Sequence, residues 1–203
     1  MDEKLSSLNA LVFAARLASK DAVPGGGGAA ALCGALGAAL GAMAARLSAP
    51  GREEAVEPLI SRADALRTAL LALIDEDAAG FAPLAAAYAI PKDAPGRTET
   101  LRDATLLALE APMAMLRRCA ETVALLEELL PNCKKLLLSD VGCGAALARG
   151  ALRAAAMNVW VNTRTLPAED RGPVEREAEA LLKDYTARAD AVYAAVEARL
   201  REN

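Results

Sequence analysis

The chain has 203 residues, a formal net charge of −4 and no histidine, and it is 54% hydrophobic but only 3% aromatic. Without histidine, Ser-His-Asp and Cys-His hydrolases are excluded, and proton transfer falls to a carboxylate, a lysine, a cysteine or water. The acidic balance argues against a nucleic-acid partner, which would select a basic face.

A core poor in rings must be built from Ala, Leu and Val. Such interfaces bury little area per residue and need long helices lying close together, so a second copy is expected to complete the core in a homodimer. The four cysteines, Cys33, Cys119, Cys133 and Cys143, form no CxxC pair and have no histidine to complete a zinc set. No metal site is expected. The start, Met1-Asp2-Glu3-Lys4, lacks the apolar stretch of a signal peptide, and buried thiols suit a reducing compartment. A cytoplasmic location is the expectation.

Residues 2–20 predict a first helix with Leu5, Leu8, Val12 and Ala15 on one face. A second helix, Ala- and Gly-rich, runs from about Gly27 to Leu47 and stops at Ala49-Pro50-Gly51. A third spans about Glu53 to Tyr88, with Leu59, Leu66, Leu70 and Leu73 inward. A fourth spans about Thr98 to Leu130, with a bend expected at Pro112. The fifth is expected to start after Ser139-Asp140, as N-caps, and to reach about Leu166, although Val159–Thr163 has strand-like composition. A last helix begins near Asp170 and Pro173, and its stripe of Val174, Leu181, Tyr185, Val192, Val196 and Leu200 keeps helical spacing. The expectation is an all-α fold: a single-domain bundle of about six long helices over residues 1–203, dimerising.

Between Asp21 and Arg46 no residue is charged. Pro24 and the four glycines Gly25, Gly26, Gly27 and Gly28 lead straight into a helix, so their N–H groups and the helix N-terminus can line one concavity that takes an anion or carbonyl. Gly34, Gly37 and Gly41 then cost about 1 kcal/mol each in helix propensity, which close approach of another helix must offset. A membrane span has similar small-residue spacing, but the run is poor in Leu, Ile and Phe and has no aromatic belt. It reads as a buried core helix.

Few polar residues interrupt the apolar stretches. Asp77 shares a face with Leu70, Leu73, Phe81 and Leu84, so it must reach solvent or sit in a pocket with a raised pKa. Lys92 follows a helix end, where it can answer the last carbonyls or stand on the surface. Arg102 lies near a helix start, where its charge opposes the dipole and calls for an anionic partner. Ser139 and Asp140 suit helix caps. Asn158 and Asn162 place two amides one turn apart, for core hydrogen bonds or a ligand. Asp140 and Asn158 are eighteen positions apart, about 27 Å along a helix axis. They therefore hold opposite ends of a long molecule or serve different sites of a dimer.

The stretch Pro24-Gly25-Gly26-Gly27-Gly28-Ala29-Ala30-Ala31-Leu32-Cys33-Gly34-Ala35-Leu36-Gly37-Ala38-Ala39-Leu40-Gly41-Ala42-Met43 resembles the PGGGS-AAL-GAL-AAL-M signature of the formiminotetrahydrofolate cyclodeaminase/methenyltetrahydrofolate cyclohydrolase family. Gly28 stands where that family commonly has serine. Asp77-Ala78-Ala79-Gly80-Phe81, Ile90-Pro91-Lys92, Arg102, Ala111-Pro112, Ser139-Asp140-Val141 and Asn158-Val159-Trp160-Val161-Asn162 extend the likeness in order. The resemblance implies an all-helical dimer without a cofactor, acting on a tetrahydrofolate derivative, with a formiminotransferase as a candidate partner. The implied reaction is closure of 5-formimino-tetrahydrofolate to the 5,10-methenyl form with loss of ammonia. The alternatives are hydrolysis of methenyl- to 10-formyl-tetrahydrofolate, and a non-catalytic folate-binding helical dimer. On this reading Asp77 is the acid/base and Asp140 a second acid or a ligand for the pterin amino group. Gly25, Gly26, Gly27, Gly28, Lys92, Arg102, Ser139, Asn158 and Asn162 would bind substrate.

Overall fold

The computed structural model describes residues 4–202, and these contain six α-helices and no strand. They are α1 (Ala10–Leu17), α2 (Gly26–Ser48), α3 (Glu53–Tyr88), α4 (Arg97–Leu129), α5 (Leu138–Thr163) and α6 (Ala168–Arg201). The all-α expectation holds, and the predicted limits of α3 coincide with those observed.

Helix α2 lies at the centre, packed on α3, α5 and α4, while α6 covers α4 and α5. Its glycines explain this position. A Cβ built on Gly37 would stand 3.1 Å from the Gly144 carbonyl oxygen, and one on Gly144 would stand 3.2 Å from the Gly37 oxygen. Helices α2 and α5 thus meet backbone to backbone. Gly34 similarly admits Cys119 of α4, and Gly41 admits Leu125 and Leu126. Lost helix propensity is offset by this close packing. Helix α2 is long and apolar enough to cross a membrane by length and composition (mean hydropathy 1.7), but much of it is enclosed by its neighbours.

Two local expectations need correction. The helix expected over 2–20 is a 3₁₀ turn at Leu5–Ser7 followed by the shorter α1; positions 2 and 3 lie outside the described residues. The break falls where the Asn9 side chain accepts a hydrogen bond from the Val12 amide at 2.9 Å and caps a fresh start. On α1 the buried residue is Phe13, whereas Val12 is 41% exposed. Ser139 and Asp140 are not caps: α5 already begins at Leu138, after a 3₁₀ turn at Lys135–Leu137, so both lie in its first turn. Val159–Thr163 belongs to the fifth helix as expected despite its strand-like composition, with Val159 and Thr163 one turn apart and both in the core. Helix α4 passes through Pro112 without interruption.

Candidate active site around Asp77

The start of α2, the second half of α3 and the end of α5 enclose a cavity of about 390 Å³. Gly25, Gly26 and Gly27 form one wall. Asp77, Phe81, Leu84 and Tyr88 come from α3, Asn158, Val161 and Asn162 from α5, and Arg164 from just beyond its end. The α3 residues recur at i, i+4, i+7 and i+11, one stripe of a helix.

Asp77 is half-buried, and a Cβ on Gly27 would overlap its carboxylate. Only a residue without a side chain lets the α2 backbone lie this close. Burial raises the Asp77 pKa above the ordinary carboxylate range, and the backbone amide of Gly28 partly reverses that rise by favouring the charged form. No cation contributes to the shift. A carboxyl in this setting is a better proton donor and acceptor for a buried substrate than one in open water.

The two asparagines do not bond between helices. Asn158 Nδ2 donates to the Ala154 carbonyl at 2.8 Å and Asn162 Nδ2 to the Asn158 carbonyl at 3.0 Å. Their amide oxygens remain as acceptors. The Asn158 amide closes against Gly26, where a Cβ would stand 3.3 Å from its Oδ1. Arg164, the residue just past the end of α5, supplies the arginine of the cavity lining.

Other residues singled out from the sequence fall elsewhere. Gly28 is not among the lining residues, and a Cβ on it would face Pro24, Ile74 and Phe13, but its backbone amide reaches Asp77. Lys92 is exposed in the turn after α3. Arg102 has an anionic partner within the chain: Nε and Nη2 reach the two Asp170 carboxylate oxygens at 2.5 and 2.8 Å. It lines a neighbouring cavity with Arg97, Thr98 and Thr165 that shares Tyr88 with the first. Ser139 and Asp140 begin α5, at the opposite end from Asn158, and Ser139 edges a separate shallow depression beside Cys143 and Tyr193. Within one chain they do not join Asp77. Among the described residues no three Cys, Asp or Glu side chains gather as a metal set.

Residues 9–181 match the formiminotransferase-cyclodeaminase family. The chain belongs to this family. It is 33% identical to a methenyltetrahydrofolate cyclohydrolase of Methylorubrum extorquens, over 91% of this chain and 93% of that one. It is 26% identical to the formimidoyltransferase-cyclodeaminase of Rattus norvegicus, of which it spans 38%. Its fold also matches a formiminotetrahydrofolate cyclodeaminase of Thermotoga maritima, with a TM-score of 0.81 over 97% of this chain and 98% of the other at 24% identity.

Of the polar residues lining the Asp77 cavity, Tyr88 and Arg164 are not among the candidates singled out from the sequence. Tyr88 was legible as the continuation of the Asp77–Phe81–Leu84 stripe one turn further on. Arg164 carried no signal, since a cation at a helix C-terminus is ordinary.

Proposed function

We propose that this chain is a folate one-carbon enzyme acting on the carbon that bridges N5 and N10 of tetrahydrofolate, and that its principal reaction is hydrolysis of 5,10-methenyl- to 10-formyl-tetrahydrofolate. The observation that carries the reading is a lone half-buried carboxyl, Asp77, facing an amide-lined and partly apolar cavity. Hydrolysis is preferred because the cyclohydrolase relative shares 33% of its residues with this chain, against 26% for the formimidoyltransferase-cyclodeaminase.

The methenyl bridge is a cation, which favours the carboxylate form of Asp77 when bound. Asp77 takes a proton from water as the water oxygen bonds to the bridge carbon. The resulting carbinolamine breaks its N5–C bond as Asp77 returns the proton to N5. The hydroxyl proton leaves to solvent as the formyl C=O forms on N10, so one proton is released per turnover. The Asn158 and Asn162 oxygens are assigned to pterin N–H groups, the Gly25–Gly27 amides to a carbonyl or carboxylate, and Arg164 to the glutamyl carboxylate. Orientation contributes strongly in such a site, since effective molarities of about 10⁵ M are available to well-held groups.

Ammonia release from 5-formimino-tetrahydrofolate is the second reading, supported by the formimidoyltransferase-cyclodeaminase relative. There N10 attacks the formimino carbon as Asp77 protonates the formimino nitrogen. Asp77 then takes the N10 proton and passes it to the same nitrogen, which leaves as ammonia as the methenyl cation forms, so one proton is taken up per turnover. The test is direct. Purified protein is given methenyl-tetrahydrofolate and the fall in methenyl absorbance is compared with a spontaneous blank. A second sample receives the formimino substrate, and methenyl formation is followed with ammonia release. Inactivity with both, while folate still raises the Tm, would leave a binding protein.

We also propose a homodimer. Leu36, Met43 and Leu47 of α2 are 50%, 39% and 53% exposed on the outer face of the central helix, an apolar stripe that a second copy would cover. Asp140 and Ser139 enter the reading only through such a copy. A separate formiminotransferase remains a proposed partner for the ammonia-releasing reaction.

A further inference from the structure

The segment before α2 touches the site from behind. Its first turn is tied to α3 at one place: the Ser6 amide donates to Asp75 Oδ1 at 3.3 Å, and the Ser6 hydroxyl donates to Asp75 Oδ2. Leu5 beside it is buried. Helix α1 then crosses with little else to hold it, since Leu11 is 81% exposed while Phe13 is 5% exposed. The end of the Phe13 ring lies 3.8 Å from where a Gly28 Cβ would stand, and Ile74 lies 3.6 Å from the same point. Gly28 in turn is bonded to Gly27, the residue packed on the Asp77 carboxylate.

Asp75 and Asp77 are two positions apart on one helix, about 200° around its axis, so they point to opposite faces. One carboxylate is engaged by the strap and the other by the glycine wall. The strap, Phe13, Gly28 and Gly27 lie in succession between the first carboxylate and the second, with the Phe13 ring on the side of Gly28 where a Cβ would stand.

We propose that Ser6 and Asp75 are positioning residues, whose contact seats Phe13 behind Gly28 and so holds the Gly25–Gly27 wall closed against Asp77. This rests on the reading of Asp77 as the acid/base. Loosening the strap lets the wall move off Asp77 and admits water. The groups facing Asp77 are the Gly28 amide of α2, Tyr88 of α3, and Asn158, Asn162 and Arg164 from α5 and its end; Asp75 and Glu76 precede it on α3. Of these, Tyr88, Arg164, Asp75 and Glu76 carry titratable or charged side chains, and all four are retained in Ser6→Ala and Phe13→Leu, whereas the Asp75 variants also remove a neighbouring charge and are read on kcat alone. Hydration of Asp77 therefore shows as a fall in the pH midpoint of turnover.

The test compares Ser6→Ala, Asp75→Ala, Asp75→Asn and Phe13→Leu with the unaltered protein over a range of pH, using whichever folate substrate the latter turns over. Ser6→Ala, Asp75→Ala and Phe13→Leu are expected to lower kcat about tenfold or more, as small displacements of reacting groups do. KM should stay within about threefold, because the substrate-facing groups are all retained. In Ser6→Ala and Phe13→Leu the pH midpoint should move to lower values, and Asp75→Asn, whose amide oxygen still accepts from Ser6, should recover most of the turnover lost in Asp75→Ala. A purely architectural role would reduce the folded fraction and leave the midpoint and kcat per folded molecule unchanged; that result overturns the proposal. Should Asp75→Ala fail to fold, Ser6→Ala and Phe13→Leu decide the matter alone. If the unaltered protein turns over neither folate, the functional reading falls and this proposal with it. Active protein with unresponsive variants removes only the strap.

Discussion

Gly27 and Asp77 occupy the same space but for one methyl group: a Cβ on Gly27 would lie inside the Asp77 carboxylate. The contact joins the start of α2 to the middle of α3 and encloses the acid on one side. Gly27→Ala must push the carboxylate or the helix aside. Overpacking of this kind costs about 1–3 kcal/mol, a Tm loss of about 2–12 °C for a domain of this size. Turnover should fall about 100-fold from the displaced acid. Thermal melting and the methenyl absorbance assay check both.

Asp77→Asn removes the proton carrier and should cost about 10²–10⁴-fold in kcat. Its effect on stability runs the other way. Because burial raises the folded-state pKa of Asp77, the folded protein binds more protons than the unfolded chain between the ordinary carboxylate pKa and that raised value. Stability is therefore lost as pH climbs through this window. The asparagine variant carries no such loss. It should melt above the unaltered protein at neutral pH, and the gap should close as pH falls below the ordinary carboxylate range. Paired melting curves across pH measure this.

Arg164→Gln deletes the arginine of the cavity lining. If it meets the glutamyl carboxylate, Kd for folate should rise about 10- to 100-fold, the scale of one charged hydrogen bond at about 1.5–3 kcal/mol, with kcat changed far less. Titration of binding separates the two effects.

Asp140→Asn alters the far end of α5. Turnover within about threefold of the unaltered protein is expected, as for a residue outside the reacting site. A loss of 100-fold or more in the kinetic assay would assign Asp140 to the cavity of a second copy.

Leu36→Glu with Met43→Glu places two charges on the exposed stripe of α2. The dimer should dissociate to monomers, since burying unpaired carboxylates across an interface costs several kcal/mol. Light scattering on the eluting protein reports the mass.

Much was legible in the residues alone. The helices followed from apolar spacing and from breakers at Pro50-Gly51, Pro91 and Pro131, because helix formation responds to neighbours three and four positions away. The glycines of α2 announced a close helix contact, and the acid on the Leu70–Leu84 stripe announced a pocket, since each breaks a local rule.

What only the tertiary structure decided is which of those residues meet. Asn158 and Asp140 share a helix, yet one faces the cavity and the other stands several turns away, a separation that spacing gives as a length but not as a membership. Arg102 is satisfied by Asp170, sixty-eight positions on, and Gly28 gives its amide to Asp77 while the side where a Cβ would stand meets Pro24, Ile74 and Phe13. Contacts between distant segments depend on how the helices stack, and no periodicity within a single helix encodes them.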